Sequence, residues 1–123
     1  MQHSNTILLT LAIILPACVY QQVSYEQDIA PILARNCNGC HIAPNGYGYR
    51  AIGLKLDSYD SIIQGTIYGP IIVAGDSRRS MLNKLVEGRV GNKHCNARSD
   101  NEGISNEEIE VMKIWVDQGA PNN

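Results

Sequence analysis

Apolar positions recur at helical spacing in several stretches of this chain, and two further apolar stretches have no period. Residues 7–17 form an apolar run with Thr10 inside it. A helix needs about 20 residues to cross a bilayer, so this run fits the hydrophobic region of an export signal instead. Ser24 with Gln27 reads as a capping box, and Tyr25, Ile29, Ile32 and Leu33 follow at helical spacing. Pro31 conflicts with an unbroken helix: either the helix bends there, or it begins at Asp28 with Pro31 in its first turn. That helix leads directly into Cys37. Residues 41–57 contain Gly46, Gly48, Gly53, Pro44 and Asn45 and read as an aperiodic loop. The stretch Asp57-Ser58-Tyr59-Asp60 reads as the cap of a short helix that ends at Gly65. Ile71, Ile72, Val73 and Ala74 have no second strand pattern to pair with, so they read as an extended wall of a pocket. Asp76 is expected to cap a helix with Met81, Leu82, Leu85 and Val86 on one face and Gly88 at its end. Residues 88–104 are polar and irregular. Ser105 and Glu108 make a second capping box, with Ile104 and Ile109 as its hydrophobic staple. Ile109, Met112, Trp115 and Val116 form the buried stripe of the last helix, and Gly119 and Pro121 stop it. The pattern predicts an all-α fold of about four helices, with long loops around a central ligand.

Composition sharpens this reading. The chain has 123 residues, 44% of them apolar, with no Phe and one Trp. That is one domain with a thin core, and an apolar cofactor would supply what the core lacks. The net charge is −2, from 10 basic and 12 acidic residues. No basic block stands out, which argues against a nucleic-acid partner.

The apolar run ends in Leu15, Pro16, Ala17 and Cys18. This resembles a bacterial lipobox, in which the cysteine is lipid-modified after cleavage, although Pro16 replaces the usual small residue. Ordinary secretion and an uncleaved anchor are the competing readings. All three place the domain outside the cytoplasm. Residues 1–17 are then the signal peptide, 18–23 a tether carrying the lipid on Cys18, and 24–120 the domain.

Cys37, Cys40 and His41 form a C-x-x-C-H motif, the attachment signal for haem c. Two thiols at this spacing meet the two vinyl groups on one porphyrin edge, and the next residue becomes the proximal iron ligand. Two other uses compete. A redox dithiol has the same spacing, but no βαβ pattern surrounds it. A structural zinc site wants four ligands, and the mature chain adds only His94 and Cys95. Pro44 lies just past His41, and its carbonyl is a candidate acceptor for the His41 ring N–H. Leu54, Leu56, Tyr59, Ile63, Ile71, Ile72 and Val73 are candidates for the haem wall, or else ordinary core. Arg50 and Arg89 are candidates for the propionates, although most such arginines are simply solvated. Met81 and Met112 lie on apolar helix faces and read as core.

Together with these residues, several stretches resemble the planctomycete-type cytochrome c domain, a relative of the class I cytochromes c. They are Asp28-Ile29-Ala30-Pro31-Ile32-Leu33, Gly53-Leu54-Lys55-Leu56-Asp57-Ser58-Tyr59, Val73-Ala74-Gly75-Asp76, Ser80-Met81-Leu82, Ile104-Ser105-Asn106-Glu107-Glu108-Ile109 and Ile114-Trp115-Val116-Asp117-Gln118-Gly119-Ala120. The resemblance spans Tyr25 to Ala120. It implies a small cytochrome c-like fold around one covalent haem c, held by Cys37 and Cys40 with His41 on the iron. It also implies a one-electron carrier rather than an enzyme, with redox proteins as partners, and the export signal puts that carrier in the periplasm or at the cell surface. The alternative is a haem-based gas-binding or sensing protein with an open distal site. The chain departs from the family at one point. Where similar domains carry a distal Met-Pro pair, residues 91–96 hold no Met. The resemblance puts His94 in that slot as distal ligand, with Cys95 or an open position as alternatives. Cys95 otherwise remains a free thiol, an intermolecular bridge or a partner for Cys18.

Overall fold

In the computed structural model, residues 21–90 and 103–123 are described. The entry into the first helix is capped as the sequence suggests, with one change of partner. Ser24 Oγ accepts the Gln27 N–H at 3.2 Å, but the Ser24 N–H donates to Asp28 Oδ2 at 2.7 Å, so Asp28 closes the cap. The first turn, Tyr25–Ile29, is wider than an α-helical one. The Ile29 and Ala30 N–H groups reach back five residues, to the Ser24 and Tyr25 carbonyls. Helix α1 (Ala30–Asn36) follows with Pro31 in its first turn. One of the two sequence readings for Pro31 therefore holds, although the helix starts at Ala30 rather than Asp28. A proline ring clashes with the carbonyl four residues back in a regular helix, and a widened turn makes room there.

The sequence reading of 41–57 as an aperiodic loop needs correction, because α2 (Tyr47–Ile52) lies within it. This helix has no apolar stripe for periodicity to detect. It is six residues long, starts after Gly46, and ends at Gly53, which takes a left-handed conformation with φ 72°. Helix α3 (Tyr59–Gln64) is capped as expected, with Ser58 Oγ accepting the Ser61 N–H at 3.3 Å. Asp76 does not cap α4 (Met81–Val86). Its Oδ1 accepts the Arg79 N–H at 3.0 Å, in the turn before that helix. Helix α5 (Asn106–Asp117) carries the full reciprocal box, Glu108 N–H to Ser105 Oγ at 3.1 Å and Ser105 N–H to Glu108 Oε2 at 2.9 Å.

The wide turn, α1 and α5 converge on the core. Ile29, Leu33, Ile62, Met112, Trp115 and Val116 are fully buried. The Tyr25 ring meets Tyr59 edge-on at 5.2 Å and lies 5.8 Å from Trp115. The polar ends of the aromatic residues are satisfied by the backbone: Tyr59 Oη donates to the Ala120 carbonyl at 2.9 Å, and Trp115 Nε1 to that of Pro121 at 3.0 Å. Ser77 ties the α3–α4 segment to α5, its N–H and Oγ both donating to the Asp117 carboxylate. The fold is all-α: among the described residues there is no strand, only one isolated bridge between Thr66 and Gly69. Among the same residues no helix is long and apolar enough to cross a membrane.

Candidate functional site

The C-x-x-C-H segment continues α1 as one further turn. The Cys37 N–H donates to the Leu33 carbonyl at 2.8 Å, and the Cys37 carbonyl accepts from Cys40 N–H at 3.1 Å and His41 N–H at 3.0 Å. Two later segments clamp this turn from outside. The Tyr49 N–H, in α2, donates to the Cys40 carbonyl at 3.2 Å, and the Leu56 N–H donates to the His41 carbonyl at 3.0 Å. Cys37 is buried, Cys40 is exposed, and His41 is 7% exposed.

The His41 ring is oriented by backbone on two sides. Its Nδ1 lies 3.4 Å from the Leu54 carbonyl. A carbonyl only accepts, so a hydrogen bond here has Nδ1 as its donor. The Cε1 edge faces Gly48. A Cβ at Gly48 would stand 2.4 Å from Cε1 and 2.8 Å from either ring nitrogen. Glycine is required there because the ring occupies the space of a side chain. Sequence reasoning missed Gly48, and the only signal for it was the cluster of glycines after His41. The expected acceptor, Pro44, is exposed on the surface. The chain leaves His41 outward through 42–45 and returns at Leu54, so Leu54 supplies the carbonyl instead.

His41 opens onto a cavity of about 370 Å³. Leu54, Leu56 and Ile71 line it, as the sequence suggests, together with Ile52, Leu82 and Leu85. Tyr59, Ile72 and Val73 do not. Tyr59 is held in the aromatic core by its bond to Ala120. Ile72 belongs to the core, since alternation along an extended segment turns it away from the face that Ile71 presents. Val73 is 39% exposed, its N–H and carbonyl both bound by Ser80 Oγ. Ile63 is likewise exposed. The rim also carries Tyr47, Thr66 and Met81, none of which the sequence assigned to the site. Met81 departs furthest from expectation: it was read as core, and it is 43% exposed at the cavity edge. Arg89 is occupied by Glu87 and by the Arg78 and Ser77 carbonyls, while Arg50 is exposed in the last turn of α2. Neither Cys37 nor Cys40 lines the cavity, although both share the turn that delivers His41 to it.

Cys18, His94 and Cys95 lie outside the described residues. Among the described residues, no three His, Cys, Asp or Glu side chains gather as a metal site would need. No protein family model, no curated protein and no solved structure matches the chain.

Proposed function

We propose that the chain is an exported mono-haem c-type cytochrome that carries single electrons between redox proteins, anchored through lipid on Cys18 in the periplasm or at the cell surface. The observation that supports this best is the setting of His41. It ends a C-x-x-C-H turn, its ring enters an apolar cavity, and a backbone carbonyl faces its Nδ1. These residues suit haem c by their chemistry. The Cys37 and Cys40 thiols would bind the porphyrin edge as thioethers, and His41 Nε2 would donate to the iron. Haem, when bound, supplies an iron that changes oxidation state by one electron. The protein's part is to hold that centre still and keep water from it. The Leu54 carbonyl and the Gly48 backbone fix the imidazole's tautomer and angle, and Leu54, Leu56, Ile71 and Leu85 supply the apolar wall.

The test is attachment. Protein matured in a host with haem c machinery should keep its haem through acid-organic extraction, and the Cys37→Ala/Cys40→Ala variant should release it. Wild-type protein that takes up no haem, or a double variant that retains it through extraction, would refute the reading.

A further inference from the structure

We propose that the end of the body formed by Gln118 and Asn123 rests against the membrane surface, because these two side chains grip the segment that leads to the lipid on Cys18; this rests on the lipid-anchor reading above. The grip is one geometry used twice. Gln118, the residue after α5, accepts the Val23 N–H at 2.8 Å and donates to the Gln21 carbonyl at 3.2 Å. Asn123 accepts the Tyr25 N–H at 2.9 Å and donates to the Val23 carbonyl at 3.2 Å. A carboxamide carries an acceptor and a donor side by side, and each one here reads a carbonyl and the N–H two residues further on. The bonded positions are 21, 23 and 25, the alternation of an extended chain. The two amides take the place of a neighbouring strand.

The grip is continuous with the core. Val23 and Tyr25 are buried, while Gln22 is exposed. The Asn123 carbonyl accepts Ser24 Oγ at 2.7 Å and the Glu26 N–H at 3.1 Å. The gripping segment is fixed in turn, since Tyr59 Oη and Trp115 Nε1 bond the Ala120 and Pro121 carbonyls.

Residues 21–23, expected as half of the tether, are therefore held by the body, and only residues 18–20 lead from the lipidated cysteine to the first gripped group. An extended chain spans at most about 3.5 Å per residue, so this link reaches roughly 10 Å, against about 20 Å for a tether that ran through residue 23. The short link, not charge, imposes the closeness. Attraction to anionic lipid needs a basic cluster, but neither 21–28 nor 118–123 holds a Lys or Arg, and Glu26 and Asp28 are exposed. A carrier held this way meets its partners at the membrane surface.

The experiment uses haem-loaded, lipidated full-length protein on supported bilayers of phosphatidylcholine. Neutron reflectometry reads the water gap between headgroups and protein, and NMR of the same protein in micelles reads amide exchange at Val23 and Tyr25. Wild type is compared with Gln118→Ala/Asn123→Ala and with a variant carrying a flexible Gly/Ser stretch between Tyr20 and Gln21, which lengthens the link and leaves the grip intact. The wild-type gap should not exceed about 10 Å. The insertion should widen the gap and leave exchange unchanged. The double variant should widen the gap and exchange about tenfold faster at both amides, with unchanged circular dichroism and haem absorbance showing that it is folded. A wild-type gap as wide as that of the insertion variant overturns the proposal, as does a double variant with wild-type gap and exchange. Wild type that washes off the bilayer refutes the lipid anchor and the proposal with it, whereas wild type that stays bound with a wide gap refutes the proposal alone.

Discussion

Replacing Gly48 with alanine adds one methyl group, and the structure says where it goes. The new Cβ would stand 2.4 Å from His41 Cε1 and 2.8 Å from both ring nitrogens. Carbon contacts settle near 3.5–4.0 Å, so something must yield by about 1 Å. The Gly48 backbone is fixed within α2, and the neighbour it meets is the His41 ring, whose Nδ1 contact with the Leu54 carbonyl is already 3.4 Å long. We expect the ring to give way. Overpacking costs about 1–3 kcal/mol, and alanine returns about 1 kcal/mol in a helix, so the net loss is roughly 0–2 kcal/mol. At about 4–8 °C per kcal/mol for a small domain, thermal melting falls modestly. On the proposed haem reading the position of the His41 imidazole suffers more, because a ligand displaced by about 1 Å would no longer meet the iron correctly. The assay is therefore twofold: a thermal melt, and the ferric and ferrous spectra of haem-loaded protein. Gly39→Ala is the control, since nothing lies within 4 Å of its added Cβ; it should leave both readouts near wild type. If Gly48→Ala melts higher than wild type and its spectra are unchanged, the packing of Gly48 on His41 does not matter and the argument fails.

Three other outcomes follow from the same structure. Ser105→Ala removes the hydroxyl half of the α5 capping box and should cost about 0.5–2 kcal/mol, read as a lower urea midpoint; an unchanged midpoint would mean that the box is idle. Burial, then the charges of Asp57 and Asp60, hold the Tyr25 phenol above its ordinary 10.0. Its raised value means that this contribution is intact below pH 10 and fades as pH climbs through the folded value. Tyr25→Phe should thus flatten the alkaline loss of stability, and equal slopes for variant and wild type would exclude Tyr25 as its source. Cys18→Ser should move the protein from the membrane fraction to the soluble one after export, because a single lost anchor releases the domain; wild-type protein already soluble after export would rule out the lipid anchor.

Local chemistry accounts for what was legible in advance. The α5 helix was readable because its signals are contiguous: a Ser–Glu box three residues apart, a staple, and a stripe ending in Trp115 and Val116. Capping bonds are made within one turn, so they need no knowledge of the rest of the chain. The C-x-x-C-H turn is legible for the same reason, since covalent spacing alone sets which thiols and which imidazole belong together. The site around it was legible only in part, through the apolar Leu54, Leu56 and Ile71. Helix α2 escaped notice because its role rests on backbone, Gly48 against an imidazole and the Tyr49 N–H on the Cys40 carbonyl, and neither contact leaves a hydropathy pattern. Leu54 was assigned to the wall by its side chain, while its carbonyl proved to be the group facing His41 Nδ1. Tyr59 and Val73 look like wall residues by type, yet bonds to Ala120 and Ser80 turn them elsewhere. Met81 and Met112 look equivalent by helical face, and only the position of α4 beside the cavity separates them. Residue type and spacing determine which groups form a turn or a cap. Which wall a side chain faces, and whose carbonyl meets a ring nitrogen, depends on segments brought together from elsewhere in the chain, and only the folded structure decides that.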